Sequence, residues 1–267
     1  MTPTLRALLA SLCLAACSSG GVAPSSTQKP PEESSDSRNP TKPRDARTRA
    51  KLHTELGSLY LHGGNLAVAL EELTIAISID PDYAKAYATR GLAGFHVHEI
   101  PFADQDFRRA LSLDANDPEI NNNYGWFLCQ IGRGKEAIDF FQRAIKNPLY
   151  ATPEKAYLNA GACYAKLGDL ATAEDYVQHS LRIVQNNPPA LLQLASINYR
   201  RGHLEQARQE LSDLLRNQEP SAEALWLGVR VERRLGDRVA EAKYASQLRR
   251  KFPLSPEAQE LLQNNFE

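Results

Sequence analysis

The sequence predicts an all-α protein, built as a right-handed superhelical solenoid of six helical hairpins with a C-terminal capping helix. Two observations predict it. Leu and Ala dominate the composition and alternating apolar runs are almost absent, which favours helix over strand. The second observation is an internal repeat of 34 residues, marked by glycines in similar contexts.

Glycines mark the turn within five of the six hairpins. They are Gly64, Gly132, Gly168, Gly202 and Gly236. Successive gaps are 68, 36, 34 and 34 residues, and the first gap holds two repeats with His98 at the skipped position. Thirty-four residues is the period of the tetratricopeptide repeat, a pair of antiparallel helices (helix A, then helix B) that stacks on its neighbours.

The other repeat positions align when the repeats are placed near residues 50–83, 84–117, 118–153, 154–187, 188–221 and 222–255. Small residues then recur on helix A, at Gly57, Gly91, Gly125 and Gly161, and on helix B, at Ala69, Ala103, Ala137, Ala173 and Ala207. Bulky residues follow at Leu73, Phe107, Phe141, Val177 and Leu211. Such a pattern lets two helices approach closely.

Three departures from the pattern carry their own predictions. The sixth repeat is expected to be degenerate, because Val229 and Glu241 stand where small residues are expected. Two extra residues near 147–150 predict a longer loop in the third repeat. Ser255 and Pro256 predict the N-cap and first residue of a capping helix that ends near Asn264.

The N-terminal residues predict a lipoprotein signal peptide. Residues 1–16 contain Arg6 and an apolar stretch that is too short to span a bilayer, as expected of a secretory signal peptide. Leu14-Ala15-Ala16-Cys17 resembles a bacterial lipobox, which makes Cys17 the predicted lipidated residue. The alternative is an ordinary cleavage site with a coincidental Cys. Residues 17–45, rich in Ser and Pro, predict a disordered tether, and residues 46–267 the solenoid.

The composition and motifs point away from catalysis and nucleic acid. The formal net charge is -1, without the basic excess typical of nucleic-acid binding. No P-loop or nucleophile-elbow motif is present. His96 and His98 are two residues apart, so on one helix they point in different directions. We therefore expect no catalytic residue, no metal, no cofactor and no small-molecule substrate. An enzyme with a helical-repeat regulatory region would need a catalytic domain for which no stretch of chain is left over.

Two cysteines remain in the predicted solenoid, Cys129 and Cys163. They lie in the A helices of adjacent repeats, and a disulfide would need their Cα atoms within about 7 Å. Because packed helices lie roughly 8–10 Å apart, two buried free thiols are favoured over a disulfide.

The A helices of such a solenoid line a groove. The residues expected to face it and bind a partner polypeptide are Leu92, Phe95, Asn122, Trp126, Leu158, Leu192 and Tyr199. Apolar and aromatic side chains with an amide suit an extended or helical peptide. The alternative is that Phe95 and Trp126 pack between repeats. Thr54 and Ser58 stand where a carboxylate-clamp repeat would carry Lys and Asn, which argues against that mode of binding.

Two further stretches are similar to one family. Asn-Asn-Asn-Tyr-Gly-Trp-Phe-Leu-Cys at 121–129 and the last repeat, including 225–230, 235–238 and 244–253, resemble the type IV pilus biogenesis and stability lipoproteins, or pilotins of the PilF/PilW type. The resemblance implies a scaffold anchored by lipid to the periplasmic face of the outer membrane. It would bind secretin subunits and promote their outer-membrane localisation and multimerisation. The alternative role is an adaptor for cell-wall hydrolases or outer-membrane protein assembly.

Overall fold

The computed structural model describes residues 43–266. The predicted signal peptide, Cys17 and most of the predicted tether lie outside the described residues. Within residues 43–266 the chain forms thirteen α-helices and no strand. The first helix begins at Pro43, whereas the sequence predicts that the tether continues to residue 45.

The helices form six antiparallel hairpins followed by one short helix, which confirms the predicted solenoid. Their bounds are α1 Pro43–His62, α2 Leu66–Ile79, α3 Ala84–His96, α4 Ile100–Leu113, α5 Pro118–Gln130, α6 Gly134–Lys146, α7 Pro153–Leu167, α8 Leu170–Ile183, α9 Pro188–Arg201, α10 Leu204–Asn217, α11 Ala222–Leu235, α12 Arg238–Lys251 and α13 Pro256–Gln263. Each helix A packs on its own helix B, and each hairpin on the next. The odd-numbered helices α1 to α11 are the A helices.

Close helix contacts explain the small residues of the repeat. A Cβ atom added at Gly161 would lie 2.6 Å from Val177 Cγ2, and one added at Gly57 would lie 2.7 Å from Leu73 Cγ. Real Cβ atoms essentially never show such distances, so in these hairpins helix B approaches helix A closely because the facing side chain is hydrogen. The bulky partner sixteen residues later fills the space beside the glycine.

The sixth repeat is not degenerate, which corrects the sequence-based expectation. A Cβ atom added at Gly228 would lie 3.0 Å from the Tyr244 ring, so these two residues form the same contact at the same spacing of sixteen residues. Ala240 keeps the helix B position, twelve residues after the glycine as in the other repeats. Relative to the turn glycine, the small residues of both helices lie one position earlier in the sequence here than in the other repeats. Gly228 and Ala240 therefore hold the small positions, and Val229 and Glu241 each come one residue after them.

The turns and caps follow the sequence signals. All five turn glycines have positive φ, and His98 takes the same left-handed conformation with φ 63°. Six residues separate α6 from α7, against four between α4 and α5, so the longer loop of the third repeat is confirmed. Ser255 caps α13 by accepting a hydrogen bond from the Ala258 N–H.

A disulfide joins Cys129 on α5 to Cys163 on α7, with their Cα atoms 5.8 Å apart. The prediction of two free thiols is wrong. It compared the separation of helix axes with a limit that applies to Cα atoms. Each Cα lies about 2.3 Å from its helix axis, so Cα atoms on directly facing sides of helices 8–10 Å apart can come within roughly 3–5 Å, well inside the limit for a disulfide.

Candidate functional site

The A helices line two groove segments. The first, which we call the N-terminal groove, has a volume of about 740 Å³ and is lined by α1, α3, α5, α7 and the loop before α7. Its lining combines apolar side chains, amides and two histidines: Leu61, His62, Leu92, His96, Asn122, Asn123, Trp126, Tyr150, Lys155, Leu158 and Asn159.

Side-chain amides lie side by side along this groove. The Asn159 amide on α7 donates a 3.0 Å hydrogen bond to Asn122 Oδ1 on α5, and Asn122 Nδ2 donates to Asn123 Oδ1 at 3.3 Å. Asn122 is buried, while Asn123 and Asn159 are half-buried. Each amide carries both donors and acceptors, so the outer members of the row can pair with the backbone of an extended polypeptide.

An aromatic cluster supports the wall of the groove next to the amides. Trp126 packs edge-on against Phe95, with ring centroids 5.1 Å apart, and lies 6.2 Å from the His96 ring. Phe95 also packs edge-on against Phe127, which is fully buried. Trp126 thus faces the groove with one side and the core with the other, and Phe95 holds it from behind.

Tyr150 enters the N-terminal groove from the longer loop of the third repeat. It lines the groove but is only 7% exposed. Burial raises the pKa of Tyr150 to about 12, so the hydroxyl stays protonated at neutral pH. The two inserted residues therefore add a neutral polar ring to the groove.

The second segment, the C-terminal groove, has a volume of about 700 Å³. It is lined by α7, α9, the end of α10, the loop after it and the start of α11. Apolar residues such as Ala162, Leu192 and Leu215 alternate with Gln193, Lys166 and Arg200. Two carboxylate residues, Glu219 and Glu223, also line this segment, and Glu219 forms an ion pair with Lys251 at 2.7 Å.

Comparison with known proteins identifies the family. Models described as tetratricopeptide repeat match residues 103–153, 154–187 and 192–256. The type IV pilus assembly protein PilF of Pseudomonas aeruginosa is 32% identical over 227 residues, which cover 85% of this chain and 90% of PilF. This chain belongs to the PilF/PilW family of tetratricopeptide-repeat proteins.

Two solved structures of the PilF/PilW family share the fold. The crystal structure of PilW, described as a widely conserved type IV pilus biogenesis factor, is 34% identical with a TM-score of 0.73, covering 80% of this chain and 98% of PilW. The P. aeruginosa PilF structure is 30% identical with a TM-score of 0.70, covering 82% of this chain and 99% of the chain in that structure.

The structure separates the groove residues predicted for this PilF/PilW-family chain into three groups. Leu92, Asn122, Trp126 and Leu158 line the N-terminal groove, with Phe95 packed behind them, and Leu192 lines the C-terminal groove. Tyr199 lines neither groove. The guanidinium groups of Arg230 and Arg234 each lie 4.9 Å from the centroid of its ring. Partner binding by these residues stays a prediction.

Sequence reasoning missed Asn159 and Tyr150 as groove residues. Asn159 follows Leu158 on the same helix, and its amide could have been found by comparison with Asn123, which precedes the packing glycine of its own repeat by the same two residues. No sequence signal gives the direction in which a loop residue such as Tyr150 points.

Two further observations concern the described part of this PilF/PilW-family chain. Among residues 43–266, no group of three or more His, Cys, Asp or Glu side chains is arranged to hold a metal ion. No helix in that range combines the length and apolar character needed to cross a bilayer.

Proposed function

We propose that this chain is a lipid-anchored pilotin of type IV pilus biogenesis. It binds secretin subunits through the N-terminal groove and promotes their localisation and multimerisation in the outer membrane. The observation that carries the proposal is the similarity to PilF, which extends over 90% of the length of that protein and includes the fold.

The chemistry of the N-terminal groove supports a polypeptide as the partner. Trp126 and Leu158 offer apolar contacts, and the Asn122–Asn159 pair places amides between them. Amides that pair with a peptide backbone give affinity for any extended segment, whereas apolar pockets select side chains. An aromatic anchor that is already held by its neighbours, as Trp126 is by Phe95, loses little conformational entropy on binding.

Lipidation at Cys17 is the second part of the proposal. Acyl chains on that residue would hold the scaffold at a membrane without a spanning helix, since stable anchoring needs more than one chain. Subunits bound to anchored scaffolds are confined to one surface, which raises their effective concentration. The role therefore needs binding and confinement, and no chemical step.

The test compares a strain that lacks the gene with strains that carry the wild-type gene, Cys17→Ala or Leu158→Glu. We expect secretin rings in outer-membrane fractions to fall in the deletion strain and to be restored only by the wild-type gene. Leu158→Glu places a charge in the groove, and purified Leu158→Glu protein should no longer retain secretin subunits in a pull-down.

Leu149→Glu is the matched control, because Leu149 is 87% exposed in the loop before α7 and does not line either groove. It should behave as the wild type. Normal secretin rings in the deletion strain would contradict the pilotin role. Co-purification of cell-wall hydrolases or outer-membrane assembly factors instead would favour the adaptor role.

A further inference from the structure

A row of three cations borders the C-terminal groove. Lys166, Arg200 and Arg234 follow one another at intervals of 34 residues and lie near the C-terminal ends of α7, α9 and α11. All three side chains belong to exposed residues, and Lys166 and Arg200 line the groove itself. The same place on three successive A helices therefore carries a positive charge.

Each cation reaches back to a neutral oxygen of the preceding repeat. Lys166 Nζ donates to Gln130 Oε1 at 2.6 Å, Arg200 Nη1 to the Ala165 carbonyl at 3.0 Å, and Arg234 Nη1 to the Tyr199 carbonyl at 3.1 Å. These bonds fix where the charged groups lie. A guanidinium has five N–H donors, so most of the donors of Arg200 and Arg234 remain for another acceptor.

The charge of the row is not neutralised within the described residues. No carboxylate there forms an ion pair with Lys166, Arg200 or Arg234 at 4.0 Å or less. Adjacent cations differ in this respect, because Arg201 pairs with Glu174 and Arg233 with Glu241. In each of these neighbouring pairs, the cation without an ion pair is the one that belongs to the row, Arg200 or Arg234.

We propose that the C-terminal groove binds an acidic, extended polypeptide segment, whose carboxylates pair with Lys166, Arg200 and Arg234. Apolar side chains between the carboxylates would contact Ala162, Leu192 and Leu215. This is a second docking site, and it does not depend on a secretin being the partner at the N-terminal groove.

The spacing of the row defines the sequence of the partner. Neighbouring packed helices lie about 8–10 Å apart, and a polyproline II segment, with three residues per turn, places every third side chain on the same side at intervals of about 9 Å. A carboxylate at every third residue of such a segment therefore meets successive cations. A segment with the same acidic residues placed contiguously turns most of them away from the row and meets fewer cations at once.

The experiment measures binding of a fluorescent peptide of about ten residues to the full-length protein in detergent, by fluorescence anisotropy. The probe carries Glu at every third position, with Pro and Ala between, because a Pro-rich segment adopts the polyproline II conformation. Its comparison peptide has the same composition with the Glu residues contiguous. We expect the spaced peptide to bind more tightly, and its affinity to fall as salt is added.

The protein variant removes the charge and keeps a donor for the neutral oxygens: Lys166→Gln, Arg200→Gln and Arg234→Gln together. We expect a loss of affinity of about tenfold, since single exposed ion pairs contribute weakly and three act together. The matched control changes three exposed cations of B helices that line neither groove, Lys135→Gln, Arg182→Gln and Arg250→Gln. It alters net charge equally and should leave the affinity unchanged.

Three outcomes would overturn the inference. Equal losses in the two triple variants would mean that only net charge matters, and equal affinity for the two peptides would remove the proposed register. In the third outcome, the wild type binds anionic phospholipid vesicles, and the variant with Lys166, Arg200 and Arg234 replaced loses this binding but binds the peptide as the wild type does. The row would then recognise a lipid surface and not a polypeptide.

Discussion

Arg90 and Asp106 form a bidentate ion pair inside the second hairpin. Arg90 Nε lies 2.7 Å from Asp106 Oδ2, and Arg90 Nη2 lies 2.9 Å from Oδ1. The two side chains are 16% and 5% exposed, and the guanidinium also lies 5.0 Å from the centroid of the Phe102 ring. The pair links α3 to α4 with its carboxylate buried and its guanidinium mostly shielded from solvent.

Asp106→Asn should destabilise the protein by about 3 kcal/mol, because it leaves a buried guanidinium without its counter-charge. Chemical denaturation followed by circular dichroism measures the change. Lys51→Gln is the control, since Lys51 and Glu55 are both exposed and 3.7 Å apart, and exposed pairs contribute at most about 1 kcal/mol. Similar effects of the two substitutions would show that the second hairpin does not depend on the buried pair.

The Cys129–Cys163 bond should contribute about 3–4 kcal/mol to the free energy of unfolding, from the entropy that closing a loop of this length removes from the unfolded chain. The two cysteines are 34 residues apart. Addition of a reducing agent should lower the denaturation midpoint of the wild type and leave that of a Cys129→Ala, Cys163→Ala variant unchanged. A wild-type midpoint that is insensitive to complete reduction, verified by thiol titration, would contradict this value.

Glu210 should make stability fall as pH rises. Burial raises the pKa of Glu210 from the ordinary 4.5 to about 7, although the Asn198 amide donates to it at 2.8 Å. The unfolded chain releases this proton above pH 4.5 while the folded chain retains it, so the contribution is complete below pH 4.5 and is lost between pH 4.5 and 7. Glu210→Gln should remove the decline and raise stability at pH 8 by roughly 1–2 kcal/mol, less than the full shift because the side chain is partly exposed.

The measurement for Glu210 is the free energy of unfolding at several pH values between 4 and 8. Glu71→Gln, a change of the same kind at an exposed position of α2, should keep the wild-type profile. If Glu210→Gln keeps that profile as well, the decline with pH comes from other groups.

His98 occupies a turn where the other repeats use glycine, and its φ of 63° costs an L-residue about 1 kcal/mol or more. His98→Gly should raise the free energy of unfolding by about 0.5 kcal/mol, since the added flexibility of glycine in the unfolded chain offsets part of the gain. Asn186→Gly, at φ 56°, should give a smaller gain because Asn tolerates this conformation better. A lower thermal midpoint for His98→Gly would mean that the imidazole makes a stabilising contact.

The sequence predicted the hairpins because each depends on a local pattern: a small residue (glycine in five hairpins, and Ala195 in the fifth of the six), an alanine twelve residues later and a bulky residue four residues after that. The pattern failed as a guide only where strict periodicity was assumed. Gly228 and Tyr244 keep the spacing within their hairpin but not the spacing to the preceding one. Packing acts between the helices of a hairpin, so the internal spacing is the constrained quantity.

The groove was only partly predictable for a related reason. Periodicity identifies which side of a helix faces the groove, and it found Asn122, Trp126 and Leu158. It carries no information on the path of a loop, which brings in Tyr150. It also does not reveal that Arg201 pairs with Glu174 and Arg233 with Glu241, whereas the adjacent Arg200 and Arg234 bond to backbone carbonyls. That difference depends on side-chain positions in three dimensions.

The disulfide has a consequence for how the array opens. In a linear stack each repeat is held only by its neighbours, so thermal fraying starts at the two ends and moves inward. The bond joins α5 and α7, the same two helices that carry the Asn122–Asn159 contact. The two ends can open transiently while the covalent link keeps this central pair of hairpins in register. The part of the chain that opens least is then the part that carries the groove amides.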